Sequence, residues 1–190
     1  MLTHCGTPEI ATDRLILRAF QMDDAQSALL NWASDEYVQR MYSEPVYETI
    51  DAAKGLIAGY IEKYAQPYYY RWAVIEKKSG ECIGQIAIYL VVDRDHFCEI
   101  EYCIGSAFQR KGYCSEAVIA VRDFAFEHIH IHKMQVCHKA GNIASKRVIE
   151  KCGFRYDGTL RDYFYMDGQY VDRLFYSMVE DEWVACRGDL

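Results

Sequence analysis

The stretch Gln109-Arg110-Lys111-Gly112-Tyr113-Cys114-Ser115 sets two cations and a glycine just ahead of an apolar helical pattern, in a chain whose formal charge is −7. The start of a helix exposes unpaired backbone N–H groups and the positive end of its dipole, and so attracts phosphate. Gly112 allows close backbone approach, Cys114 and Ser115 are small enough not to obstruct it, and Arg110 and Lys111 add charge. These are the parts of a diphosphate cradle. It is not a Walker A loop, which needs GxxxxGK[ST], and no GxGxxG turn is present.

A second group of residues could move protons. On "CEIEYCI", Glu99, Glu101 and Cys103 share one strand face, because strand side chains alternate. Repulsion between two like charges there would tune one of them for proton exchange. The plain alternative is an exposed strand carboxylate. The alternation His128-Ile-His130-Ile-His132 lacks a Cys or carboxylate partner at metal spacing and reads as surface histidines, so no metal is expected. The 8 cysteines include no CxxC pair and sit mostly in apolar segments, as reduced core thiols do.

These residues need elements to hold them. "RLILRAF" (14–20) reads as a strand, and Asp23 or Asp24 can cap a helix running to about Trp32. Helical spacing continues around 35–41 and 49–64. Then "YYRWAVIE", "CIGQIAIYLVV" and "FCEIEYCIG" form an antiparallel meander with short connections. Apolar residues at 117, 120, 121, 124 and 125 predict an amphipathic helix packed on that sheet. "KMQVCH" follows as a strand reached by a parallel crossover, and "NIASKRVIEKCGF" as a helix ended by Gly153. "FRYDGTLRDYFY" and "QYVDRLFYSMV" close the order with strands. The class is mixed α/β (α+β): a central sheet flanked by helices, read as one domain over 1–190 with its core at about 10–182.

Taken together these segments resemble the GNAT N-acetyltransferases. Gln109 to Cys114 is similar to that family's Q/R-x-x-G-x-G/A pyrophosphate loop, with Cys114 where Gly or Ala is usual. "NIASKRVIEKCGF" resembles its N-x-x-S-x-x-x-x-E-K-x-G-F motif, and "TDRLILRAF", "CIGQIAI" and "EIEYCIG" resemble segments of its RimJ/RimL-like branch. The resemblance implies the GNAT fold, with meander and splayed strands, and acetyl-CoA as cosubstrate in the splay. It implies that Cys103 and Ile104 pair with the pantetheine arm and that Gln109, Arg110, Lys111, Gly112, Cys114 and Ser115 take the diphosphate. Asn142 would approach the pantetheine; a plain helix N-cap is the other reading of that residue. The resemblance further implies direct attack of a primary amine on the thioester, with Glu99 at the place of the family's carboxylate base. Where many members carry a tyrosine acid, this chain has Ile149, which leaves Ser145 to support the departing thiolate.

The acceptor implied is an amine, either a protein N-terminal α-amine or a small molecule; loss of turnover would leave an acyl-CoA-binding module. Its groove is expected between the early helices (35–64) and the tyrosine-rich late strands. The acidic balance disfavours nucleic acid. No signal peptide pattern is visible, and "IAIYLVV" is too short to span a membrane, so a cytoplasmic setting is expected. Monomer and homodimer both remain open.

Overall fold

The computed structural model describes residues 2–188. Its strands are β1 (Ile10–Ala11), β2 (Leu15–Arg18), β3 (Tyr70–Glu76), β4 (Cys82–Val92), β5 (Phe97–Ile104), β6 (Lys133–Lys139), β7 (Arg155–Met166) and β8 (Gln169–Val179). Its helices are α1 (Asp24–Ala28), α2 (Glu36–Tyr42), α3 (Ile50–Lys63), α4 (Tyr113–Phe124), α5 (Ile143–Lys151) and α6 (Glu180–Gly188). The strands form one mixed sheet in the order β1-β2-β3-β4-β5-β6-β8-β7. β5 and β6 run parallel through the α4 crossover, and the other described neighbours are antiparallel.

β3 does not alternate between apolar and polar because both faces of the sheet are covered. Tyr70, Trp72 and Val74 pack with Leu15, Leu17, Ile83, Ile100, Val118, Val121 and Phe124 on the α4–α5 side. Ala73 and Ile75 pack with Phe20, Ala28, Trp32, Val38 and Ile57 on the side of α1 to α3. Trp72 and Phe124 meet edge to face with ring centroids 5.6 Å apart. Aromatic pairs favour that geometry.

The elements follow the sequence reading closely, with three differences. β1 is a two-residue strand too short to show a period; it pairs with Ile16 and Leu17. The chain continues into α6, where Glu180, Asp181 and Glu182 suit the helix start and Trp183 stacks on Phe126 at 5.2 Å. Asp23 holds the N-cap position of α1 without a side-chain cap; Asp24 instead pairs with Arg18 and accepts from Gln21 N. The histidines at 128, 130 and 132 are exposed, with Ile129 and Ile131 buried between them. No metal-ligand cluster occurs among the described residues. Cys82, Cys98, Cys103 and Cys152 are buried free thiols, whereas Cys5 and Cys186 are exposed.

One break in the sheet creates the site. β5 and β6 pair only from Phe97–Lys133 to Ile100–Val136. Beyond that point β5 stays with β4 as far as Ile104, and β6 stays with β8 as far as Lys139. The two strands part, leaving a wedge. On one flank Gly105 lies so close to the turn after α1 that a Cβ there would sit 1.8 Å from the Asn31 carbonyl oxygen. Asn31 Nδ2 donates to Cys82 O at 3.2 Å, and Ser106 N donates to Asp35 Oδ2 at 3.2 Å. These contacts fix the end of β5 and the loop that leaves it.

Candidate active site

A cleft of about 700 Å³ fills the wedge between β5 and β6 and continues past α2. Cys103, Ile104, Gln109, Arg110, Gly112, Cys114, Ser115, Asn142 and Ser145 all line it. Glu99 and Lys111 do not. The loop and the two motifs far apart in sequence therefore meet on one surface.

At the loop end, Arg110 (φ 60°) and Gly112 (φ 83°) are left-handed. That conformation gathers successive N–H groups. The N–H groups of Arg110, Lys111 and Gly112 have no partner among the described residues. α4 then starts at Gly112 without a side-chain cap, although Asp35, Thr49 and Asn142 cap α2, α3 and α5. Its first-turn donors are left for an anion. The thiol of Cys114 is pushed well up by burial, so it stays neutral beside them. Lys111 turns its ammonium over the Phe108 ring at 5.1 Å and contributes charge from the rim.

Arg14, on the approach to β2, holds this loop in place. Its Nη1 donates to Lys111 O at 2.8 Å, and its guanidinium pairs with Glu116 at 2.6 Å. Burial raises the Glu116 carboxyl, but hydrogen bonds from Thr12 and Arg14 outweigh it and hold the group below its usual range. Sequence pattern places Arg14 in a strand and gives it no task. Because this pair is partly exposed, it contributes modestly, and Arg14→Ala should weaken binding of the acetyl-CoA that the sequence resemblance implies by roughly two- to fivefold while barely changing Tm. Calorimetric titration alongside a melting curve checks that expectation.

The free strand edge lies next to the loop. Gly105 N donates to Ile83 O on the β4 side, so by alternation Glu101 and Cys103 direct their backbone groups to β4. Tyr102 and Ile104 direct theirs into the wedge. The backbone groups left facing the wedge are thus those of Tyr102 and Ile104, whereas those of Cys103 are turned to β4. The Ile104 carbonyl accepts from Gln109 Nε2 at 2.9 Å, which also gives that glutamine a local role.

On α5, Asn142 Oδ1 accepts from Ser145 N at 3.1 Å. This is a plain N-cap that leaves the side chain at the cleft. Ser145 Oγ lies 3.0 Å from the Tyr102 hydroxyl. Ile149, one turn further, is 1% exposed and belongs to the core.

The carboxylates separate. Glu99, expected to act as base, is 4% exposed and pairs with Arg173, with Gln135 Nε2 3.2 Å away. It is a buried ion-pair partner and does not open into the cleft. Sequence alternation puts Glu99 and Glu101 on one face but cannot show that each has its own guanidinium, which removes the repulsion expected between them. Glu101 does line the cleft. Its Oε1 accepts from Tyr42 Oη and Arg71 Nη2, both at 2.6 Å. Its Oε2 has no partner among the described residues. Burial works against the Arg71 charge, yet Tyr42, Tyr60 and Glu101 outweigh it and Arg71 titrates well above its usual range. At the mouth, burial and then the Glu101 charge push the Glu44 carboxyl up.

The far wall combines early and late elements, as the sequence suggests. Tyr37, Val38 and Tyr42 come from α2, Phe164 from β7 and Arg173 from β8. Asp167 at the β7–β8 turn pairs with Arg40 of α2 across the mouth. Tyr163, Tyr165 and Tyr170 are at least half exposed on that hairpin rather than packed in a core.

The wedge, the uncapped helix start and the lone carboxylate oxygen form a cleft suited to a long phosphate-bearing donor and a cationic acceptor. Residues 14–155 match the family described as "Acetyltransferase (GNAT) domain". The chain is 31% identical over 173 residues to the uncharacterized N-acetyltransferase YoaA of Bacillus subtilis (strain 168), covering 91% of this chain and 97% of the relative. It is 26% identical over 186 residues to the [ribosomal protein uS5]-alanine N-acetyltransferase of Escherichia coli (strain K12), covering 94% of each. Among solved structures, RimL, a ribosomal L7/L12 α-N-protein acetyltransferase in complex with coenzyme A, superposes with a TM-score of 0.80 at 19% identity, covering 92% of this chain and 99% of that one. The fold, the cleft and these matches agree: the chain belongs to the GNAT acetyltransferase family.

Proposed function

We propose that the protein transfers an acetyl group from acetyl-CoA to a primary amine, and that the preferred acceptor is a protein N-terminal α-amine. The observation that carries this reading is the wedge itself. It has unpaired N–H groups at one end, a free strand edge along its length and the Glu101 carboxylate at the other. The loop from Gln109 to Ser115 would hold the diphosphate of the donor, and the edge at Tyr102 and Ile104 would pair with its pantetheine arm. The donor supplies an activated thioester.

The chain's own residues supply the rest. An amine arrives mostly protonated, and the free Oε2 of Glu101 is placed to hold the ammonium and take its proton, directly or through a water. We assign the base to Glu101 and leave Glu99 a structural role. The Ser145 hydroxyl, on the opposite side of the cleft, would donate a hydrogen bond to the departing sulfur. The names of the ribosomal-protein relatives favour an α-amine. Glu44 beside Glu101 favours a second reading, a small amine with two cationic centres.

A panel separates the two. The same short peptide would be offered with a free N-terminal alanine or serine, and then Nα-blocked with only a lysine ε-amine free; spermidine and free amino acids complete the set. The highest kcat/KM on the free α-amine peptide is expected. The highest value on spermidine would transfer the assignment to the small-amine reading.

A further inference from the structure

We propose that Tyr102 is a positioning residue that aims the Ser145 hydroxyl proton into the cleft. The inference rests on the role given to Ser145 above, and adds a group that the sequence motifs leave out. Tyr102 sits in β5, two residues beyond the last β5–β6 pair, where the strands have parted. Its backbone faces the wedge, and its ring lies on the α4–α5 face of the sheet, against the main core. There the phenol reaches the first turn of α5.

Both oxygens within its reach belong to Ser145: Oγ at 3.0 Å and the carbonyl at 3.4 Å. Burial pushes the Tyr102 hydroxyl well above its usual range, so it keeps its proton at working pH. The single Tyr102 proton has two acceptors in range, and the shorter contact is to Ser145 Oγ; we assign Tyr102 as the donor in that contact and Ser145 Oγ as the acceptor. That assignment leaves the serine with one proton and no protein acceptor for it among the described residues, on a side chain that lines the cleft. The backbone of Ser145 is already pinned, since its N–H is bound to Asn142 Oδ1. Ile149 offers α5 no donor of its own. The remaining freedom is rotation of the hydroxyl, and the phenol removes it.

During transfer the bond between the acyl carbon and sulfur breaks and its electron pair stays on sulfur. The Ser145 O–H stabilises that developing charge through a hydrogen bond, which the Tyr102 O–H reinforces from behind, since hydrogen bonds in a chain polarise one another. Tyr102 keeps its proton throughout. The ammonium gives one proton to Glu101 before attack, the second proton leaves the nitrogen to solvent after attack, and the thiolate is protonated by solvent after release.

The test is a double-mutant cycle on the full chain: wild type, Tyr102→Phe, Ser145→Ala and both together. Each is measured at saturating acetyl-CoA with whichever panel amine is turned over fastest. CoA affinity and Tm are recorded for every variant. Phe preserves the ring packing and removes only the hydroxyl. Tyr102→Phe should lower kcat by about tenfold, the scale of one reinforcing hydrogen bond, and leave CoA affinity within about twofold. The double variant should be no slower than Ser145→Ala, because Tyr102 acts only through that serine. A wild-type kcat in Tyr102→Phe, or the same tenfold loss on a Ser145→Ala background, overturns the inference. If Ser145→Ala alone keeps the wild-type rate, the role of Ser145 fails first. If Ser145→Ala is slow while Tyr102→Phe is not, only the positioning role fails.

Discussion

Gly112→Asp is expected to abolish usable CoA binding in a folded protein. The substitution sets a carboxylate at the uncapped start of α4, among the N–H groups that would receive phosphate. Like charges brought together at a binding surface cost several kcal/mol, which is roughly a hundredfold or more in affinity. A Cβ at this position would lie 3.2 Å from Arg14 Nη2, so the new carboxylate would also draw Arg14 away from Glu116 and loosen the loop. Gly112→Ala is the control. It adds no charge but meets the same left-handed φ of 83°. That conformation costs a non-glycine residue about 1 to about 2 kcal/mol. Calorimetric titration with CoA should rank the alanine variant between wild type and aspartate. Unchanged affinity in a folded Gly112→Asp protein would remove the diphosphate from this loop.

The second large effect concerns the two carboxylates of β5. Glu101→Gln should lower kcat/KM for the amine by on the order of a hundredfold near neutral pH, the usual scale for losing a general base. The loss should shrink as pH rises past the α-amine pKa of about 8, because the acceptor then arrives neutral and needs no base to free its lone pair. Glu99→Gln should behave differently. It leaves Arg173 buried without its counter-charge; breaking such a pair costs about 3–5 kcal/mol of stability. A lower Tm with an unaltered pH profile is expected from Glu99→Gln. If instead Glu99→Gln flattens the acidic limb of the profile and Glu101→Gln does not, the base is Glu99.

Most of this architecture is legible in the sequence. The bounds of β4 and β8 coincide with the runs "CIGQIAIYLVV" and "QYVDRLFYSMV", because both are rich in β-branched and aromatic residues, which favour strands. The loop at Gly112 and the cap at Asn142 are legible because backbone geometry demands those residue types. What pairs with what across the sheet is not. Glu99 and Glu101 look alike in sequence, and only their long-range partners, Arg173 and Arg71, divide one into a buried ion pair and the other into a cleft carboxylate. Tyr102 escapes notice for the same reason. A tyrosine within a strand reads as core, and its hydroxyl finds a partner only when α5, more than forty residues later, brings Ser145 to 3.0 Å. Arg14 is a third case, since Glu116 lies 102 residues away.

Coupling of the acetyl-CoA thioester to an amine in this cleft can be followed by release of the CoA thiol, with and without acceptor, while mass spectrometry follows the acceptor. Thiol release should depend on the free-α-amine peptide and match, mole for mole, the appearance of Nα-acetylated peptide. Gly112→Asp and Glu101→Gln should suppress both signals together. Tight CoA binding with no amine-dependent release across the whole panel would contradict such coupling and leave a protein that holds acyl-CoA without turning it over.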